Sequence, residues 1–180
     1  MKKIIMRKLI WLFVLLPISA YAGEFPTCHI HKEGMAYFSN DKFQDKVSVD
    51  IEGSPCSKAT AIITITDYKR QKIYEYKTMF EPLSSYSMDD PELGEEAEAV
   101  ASQIVEPSNF STASSLPQWK EAEEYWKNNI QDLKVSKKYY KKLRRSKWRI
   151  FSHSIHYEGW QVVVFDRDKK KTIIVSNGGL

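Results

Sequence analysis

Residues Ala59 to Phe80 read ATAIITITDYKRQKIYEYKTMF, and the parsing of this stretch decides the fold. Ala59, Ala61, Ile63 and Ile65 fall on one side of an extended chain and Thr60, Ile62, Thr64 and Thr66 on the other. β-Branched residues dominate both sides, as a pleated surface prefers. Asp67 to Gln71 supplies a polar turn, after which Tyr74, Tyr76, Thr78 and Phe80 alternate with Ile73, Glu75, Lys77 and Met79. The stretch is therefore expected to form a hairpin whose aromatic face is the richer one to bury.

The flanking segments extend the pattern. Upstream, MAYF at 35–38 reads as a short strand after Gly34, and Val47, Val49 and Ile51 alternate with Lys46, Ser48, Asp50 and Glu52 as in a half-buried antiparallel strand. Near the end of the chain, WQVVVF at 160–165 and TIIV at 172–175 are joined by the charged DRDKKK. This is a second hairpin, and its apolar residues on both faces imply a sheet covered on both sides.

Between these strand-rich ends the composition turns helical. Residues 81–106 carry eight acidic residues and no Lys or Arg, and Leu93, Ala97, Val100, Ala101 and Ile104 recur at helical spacing until Pro107. Asp90 and Pro91 fit an N-cap and a first helical position, and acids in a first turn suit the helix dipole. A second helix is expected from near Ser115, with Trp119, Ala122, Trp126, Ile130 and Leu133 along one side. Loops are expected at 82–90 and 107–117, the latter a candidate lid containing the sequon Asn109-Phe110-Ser111. A short third helix follows around Tyr139 and Leu143.

Strands before and after a helical middle favour an α+β fold over a parallel α/β sheet. The expectation is an antiparallel sheet of about five to seven strands, with two or three helices packed mainly on one face and one disulfide.

The first residues, MKKIIMRKLIWLFVLLPISAYA, place Lys2, Lys3, Arg7 and Lys8 ahead of a short apolar run that ends in Ala20-Tyr21-Ala22. Residues 1–22 thus read as a secretory signal peptide, leaving 23–180 as a single α+β domain in the periplasm or outside the cell. The run is too short for a comfortable membrane span, and no later segment qualifies. The leader holds 4 of the 27 basic residues and none of the 23 acidic ones, so the remainder balances at 23 against 23. The pI near 8.9 therefore reflects the leader. Global attraction to nucleic acid is not supported, and nucleic acid is not an expected partner.

The two cysteines, Cys28 and Cys56, are expected to pair as a disulfide in an exported chain. They lack the Cys-x-x-Cys spacing of redox and metal sites. Serine lies in no Gly-x-Ser-x-Gly elbow, seven glycines form no phosphate loop, and the acidic pairs are consecutive and diverge on helices. No catalytic residue and no cofactor is implied.

Two constellations are left. His29 with His31, and His153, His156 and Glu158, have spacings from which a metal or small-ligand carrier could be built. Nine cations between Lys134 and Arg149 occur without an acid; of these, Lys137, Lys138, Lys141, Arg144 and Arg145 are the candidate partner-binding residues.

In size and compartment alone the chain is similar to periplasmic inhibitors and immunity proteins. The sequence reading is a non-catalytic exported binding protein whose partner is another exported or envelope protein, on which it acts as an inhibitor or immunity-type factor. A metal or small-ligand carrier and an envelope-polymer hydrolase are the alternatives.

Overall fold

The computed structural model describes residues 27–80, 92–128, 131–156 and 159–178, without the side chains of 125–128, 131, 155 and 156. The opening hairpin is present as β3 (Thr60–Thr66) and β4 (Lys72–Met79), preceded by β1 (Cys28–Ala36) and β2 (Asp45–Gly53). These four pair antiparallel in the order β1-β2-β3-β4. The register sets Val49 beside Ile63 and Ile63 beside Tyr76, with Val47 beside Ile65 and Ile65 beside Tyr74, so alternation alone delivers one continuous apolar face.

That face meets α1 (Leu93–Ile104), which buries Leu93, Ala97, Ala101 and Ile104 on β1 and β2. The stripe is the one expected from the spacing. Asp90 and Pro91, assigned to its start, lie outside the described residues; Glu92 flanks the helix without a side-chain cap. At the other end Asn109 Nδ2 donates to the carbonyls of Gln103 and Ile104, satisfying orphan acceptors of the last turn. The Asn of the sequon is thus a helix-capping residue.

The remaining strands form a second sheet. β5 (Phe110–Thr112), β6 (Gln131–Leu133), β7 (Arg149–His156), β8 (Gly159–Asp166) and β9 (Lys171–Gly178) pair in the order β5-β7-β8-β9-β6, all antiparallel. The α+β class and the Cys28–Cys56 disulfide hold. Among the described residues nine strands divided between two sheets replace the single sheet expected, and the helices are distributed accordingly.

The division follows from β8. Val163 faces the first sheet, in a core with Phe38, Phe110 and Phe151, while Val162 and Val164 face the other way. The Phe110 and Phe151 rings stack at 4.5 Å, and Phe38 meets both edge-on. The opposite face is covered by α2 (Trp119–Asn128) and α3 (Lys137–Arg145), through Ala122, Tyr140 and Leu143 packed on Ile150, Val162, Val164 and Val175. A strand apolar on both faces needs cover on both sides.

Three local expectations are corrected. α2 begins at Trp119 rather than Ser115, and Leu133 leaves the helix to pair with Ser176 in β6, because sheet-edge backbone bonds outweigh helical spacing there. The segment 107–117 is not a lid: it contributes β5 and buries Phe110, Ala113 and Leu116.

Candidate functional site

The basic stretch folds as α3. Ser136 caps it by accepting from the Tyr139 N–H, and Tyr140 and Leu143 anchor its buried side. Burial pushes the Tyr140 phenol up to about 12, and its hydroxyl donates to the Pro117 carbonyl at 2.9 Å. Spacing of i, i+4, i+7 and i+8 then places Lys137, Lys141, Arg144 and Arg145 on one stripe.

Cations in the last turn are favoured by the helix dipole, typically by 0.3–1 kcal/mol each. Lys137 and Lys138 in the first turn oppose it, and like charges at i, i+4 cost roughly 0.2–0.5 kcal/mol per pair. The helix therefore carries charge that its own stability does not explain.

The stripe faces the start of α2. Trp119, Lys120, Lys137, Lys141, Arg144 and Arg145 line a groove of about 460 Å³ together with Ser114 and Gln118. Lys137 Nζ lies 5.5 Å from the centroid of the Trp119 ring, and Trp119 packs edge-on against Tyr140 at 5.5 Å. Arg144 is partly structural, since its Nε donates to the Leu116 carbonyl at 2.8 Å. Glu121 accepts from the Gln118 N–H at 2.9 Å. Lys138 is exposed on the flank of α3.

The acidic and basic segments are held by different layers. α1 rests on the first sheet, with Glu98 paired to Lys32, while Lys142 on α3 pairs with Asp168 at 2.6 Å. Asp168 raises the Lys142 pKa and Lys32 lowers that of Glu98. Residues 81–91 of the acidic run lie outside the described residues.

The histidines are placed quite differently from one another. His31 is exposed, with Asp50 at 2.5 Å from Nδ1 and Glu33 at 2.9 Å from Nε2; the bond to Asp50, then that to Glu33, raises its pKa. The two carboxylates occupy opposite ring nitrogens, so they do not converge on a common ligand position. His29 is exposed, 3.6 Å from Glu52. His153 is buried between the sheets, where Nε2 meets Tyr74 Oη and Nδ1 meets the Ser154 carbonyl. His156 belongs to β7, and its side chain and Glu158 lie outside the described residues. Among the described residues no three His, Cys, Asp or Glu side chains form a group that could hold a metal.

Sequence reasoning identified the cations of α3 but not their neighbours in the groove. Trp119 belongs to the helical stripe that the spacing predicts and Lys120 stands out in no local pattern; only the packing of α2 against α3 brings them to the site. Comparison with family models, curated proteins and solved structures finds no match to this chain.

Proposed function

We propose that this chain is an exported, non-catalytic binding protein that engages another exported or envelope protein through the groove between α2 and α3, as an inhibitor or immunity-type factor does. The observation that carries the reading is the convergence of Lys120, Lys137, Lys141, Arg144 and Arg145 on one groove. Its natural occupant is an acidic segment of the partner. The basic leader at 1–22 and the Cys28–Cys56 disulfide support an oxidising, extracytoplasmic location.

Exposed ion pairs contribute about 0.2–1 kcal/mol each, so the cations supply on-rate and selection of partner, and Trp119 supplies apolar contact area. The test is cross-linked capture from envelope extract with wild-type protein and with the double reversal Lys137→Glu, Lys141→Glu. A partner held by the wild type, released by salt and lost by the reversal is expected. Equal capture by both proteins, or none by either, overturns the reading.

A further inference from the structure

A second surface lies at the end of the first sheet where the β1–β2 and β3–β4 turns meet. The β2–β3 register ends with Lys46 opposite Thr66, which brings residues 37–44 beside residues 67–71. There Phe43, 52 % exposed, stacks on Tyr68, 47 % exposed, with ring centroids 4.7 Å apart and planes 20° from parallel. Tyr37 and Met35 at the end of β1 are exposed as well. Phe43 has no polar atom to present to water, and the stack leaves two large aromatic rings exposed side by side.

Both turns are stiff. Asn40 Oδ1 accepts from the N–H groups of Lys42 and Phe43, and Asp67 Oδ1 accepts from those of Lys69 and Gln71. The buried Asp45 accepts from the N–H groups of Phe38 and Ser39. The β8–β9 turn joins the same end, because Arg167 grips Asp41 through two bonds of 2.7 and 2.8 Å. The backbone that carries the rings is thus held by its own hydrogen bonds, which lowers the ordering cost on binding.

Cations surround them. Lys42, Lys69, Arg70 and Lys170 are exposed on these turns, while Lys46 on β2 is paired with Glu33. The acids of the same turns are engaged internally: Asp41 with Arg167, Asp67 with its own turn, Asp168 with Lys142. Sugar recognition needs polar side chains aimed at hydroxyls beside a ring face, and here Asn40 and Asp67 are committed to their own backbones. Aromatic rings at turn apices within a ring of lysine and arginine suit the boundary of a lipid bilayer, where rings enter the headgroup layer and cations meet phosphates.

We infer that the Phe43–Tyr68 tip docks peripherally on an anionic lipid surface. This site is separate from the groove between α2 and α3. The experiment is sedimentation of the protein, expressed with its own leader, on vesicles of phosphatidylcholine alone and of phosphatidylcholine with phosphatidylglycerol. Variants are Phe43→Ser with Tyr68→Ser, Lys42→Glu with Lys69→Glu and Arg70→Glu, and Lys137→Glu with Lys141→Glu. Expected are at least tenfold tighter binding to the anionic vesicles, a tenfold loss in the ring variant, loss of the lipid preference in the tip reversal, and no change in the α3 reversal. Binding that ignores the ring substitutions, follows the α3 reversal, or is absent from anionic vesicles overturns the inference.

Discussion

Tyr74 Oη lies 2.7 Å from His153 Nε2, and this buried bond joins β4 of the first sheet to β7 of the second. The Ser154 carbonyl, 2.9 Å from Nδ1, only accepts, so Nδ1 carries a proton. Burial pushes the His153 pKa down to about 4, so the ring is neutral at pH 7 and Nε2 accepts from the tyrosine. Gln161 Oε1 lies 2.6 Å from Oη and completes the buried network.

The first prediction is a pH dependence of stability. The unfolded imidazole has a pKa near 6.5 and the folded one about 4, so between these values the unfolded chain takes a proton that the folded chain refuses. Stability attributable to His153 is therefore full above pH 6.5, falls as pH drops toward 4, and levels off below. The loss is on the order of 3 kcal/mol. Urea midpoints between pH 4 and pH 7 check it. In the same titration by NMR, His31 moves the opposite way, to a pKa above 6.5, because Asp50 and Glu33 favour its cation.

A second prediction concerns the tyrosine. Tyr74→Phe keeps the ring in its contact with Phe151 but leaves His153 Nε2 and the Gln161 amide buried without their partner. Leaving buried polar groups unpaired costs about 1–3 kcal/mol. Denaturant unfolding of the variant at pH 7 measures it, and unchanged stability would remove the bond from the account of how the sheets are joined.

The elements legible in the sequence are those whose side chains carry a period. The alternation of β2 and β3, the Leu93–Ile104 stripe and the two apolar faces of β8 each predict their own burial. β5 and β6 are three residues long and too short for a period; backbone partners place them, Phe110 opposite Phe151 and Leu133 opposite Ser176. The same limit governs the sites. The charge of α3 is visible locally, whereas the approach of Lys120 to it is a product of helix packing. The Phe43–Tyr68 stack joins two turns that only the β2–β3 register brings together.

Two glycines give the third prediction, with opposite signs. A Cβ on Gly34 would lie 2.4 Å from the Val105 carbonyl oxygen, a backbone atom fixed at the end of α1, so β1 and the helix would have to separate. Gly34→Ala is expected to cost at least about 1–3 kcal/mol, as overpacking does. A Cβ on Gly94 meets nothing within 4 Å, and Gly94 is helical. Gly94→Ala is expected to stabilise by up to about 1 kcal/mol through helix propensity. Thermal unfolding of both variants decides, and a harmless Gly34→Ala would contradict the close approach of α1.

The fourth prediction separates the disulfide from the rest of the core. Cys28 and Cys56 are 28 positions apart, and the bridge fastens the start of β1 to the 3-10 turn Cys56–Lys58 that leads into β3. In the chain-entropy account its removal costs about 3–4 kcal/mol. Cys28→Ala with Cys56→Ala should lower the unfolding free energy extrapolated from urea by that amount. Reductant should do the same to the wild type and nothing to the variant.

The last prediction distinguishes cations that serve the fold from those that serve the groove. Lys137 and Lys141 are exposed on a helix where neighbouring like charge is mildly unfavourable, so reversing both should change stability by no more than about 0.5 kcal/mol while abolishing partner capture. Arg144 differs, because its Nε donates to the Leu116 carbonyl and ties α3 to the segment that leads into α2. Arg144→Ala should therefore cost about 1–2 kcal/mol and weaken capture as well. Paired denaturation and capture measurements on the two proteins give the comparison. If the double reversal destabilises as much as Arg144→Ala, the charge on α3 belongs to the fold, and the groove loses its claim as a binding site.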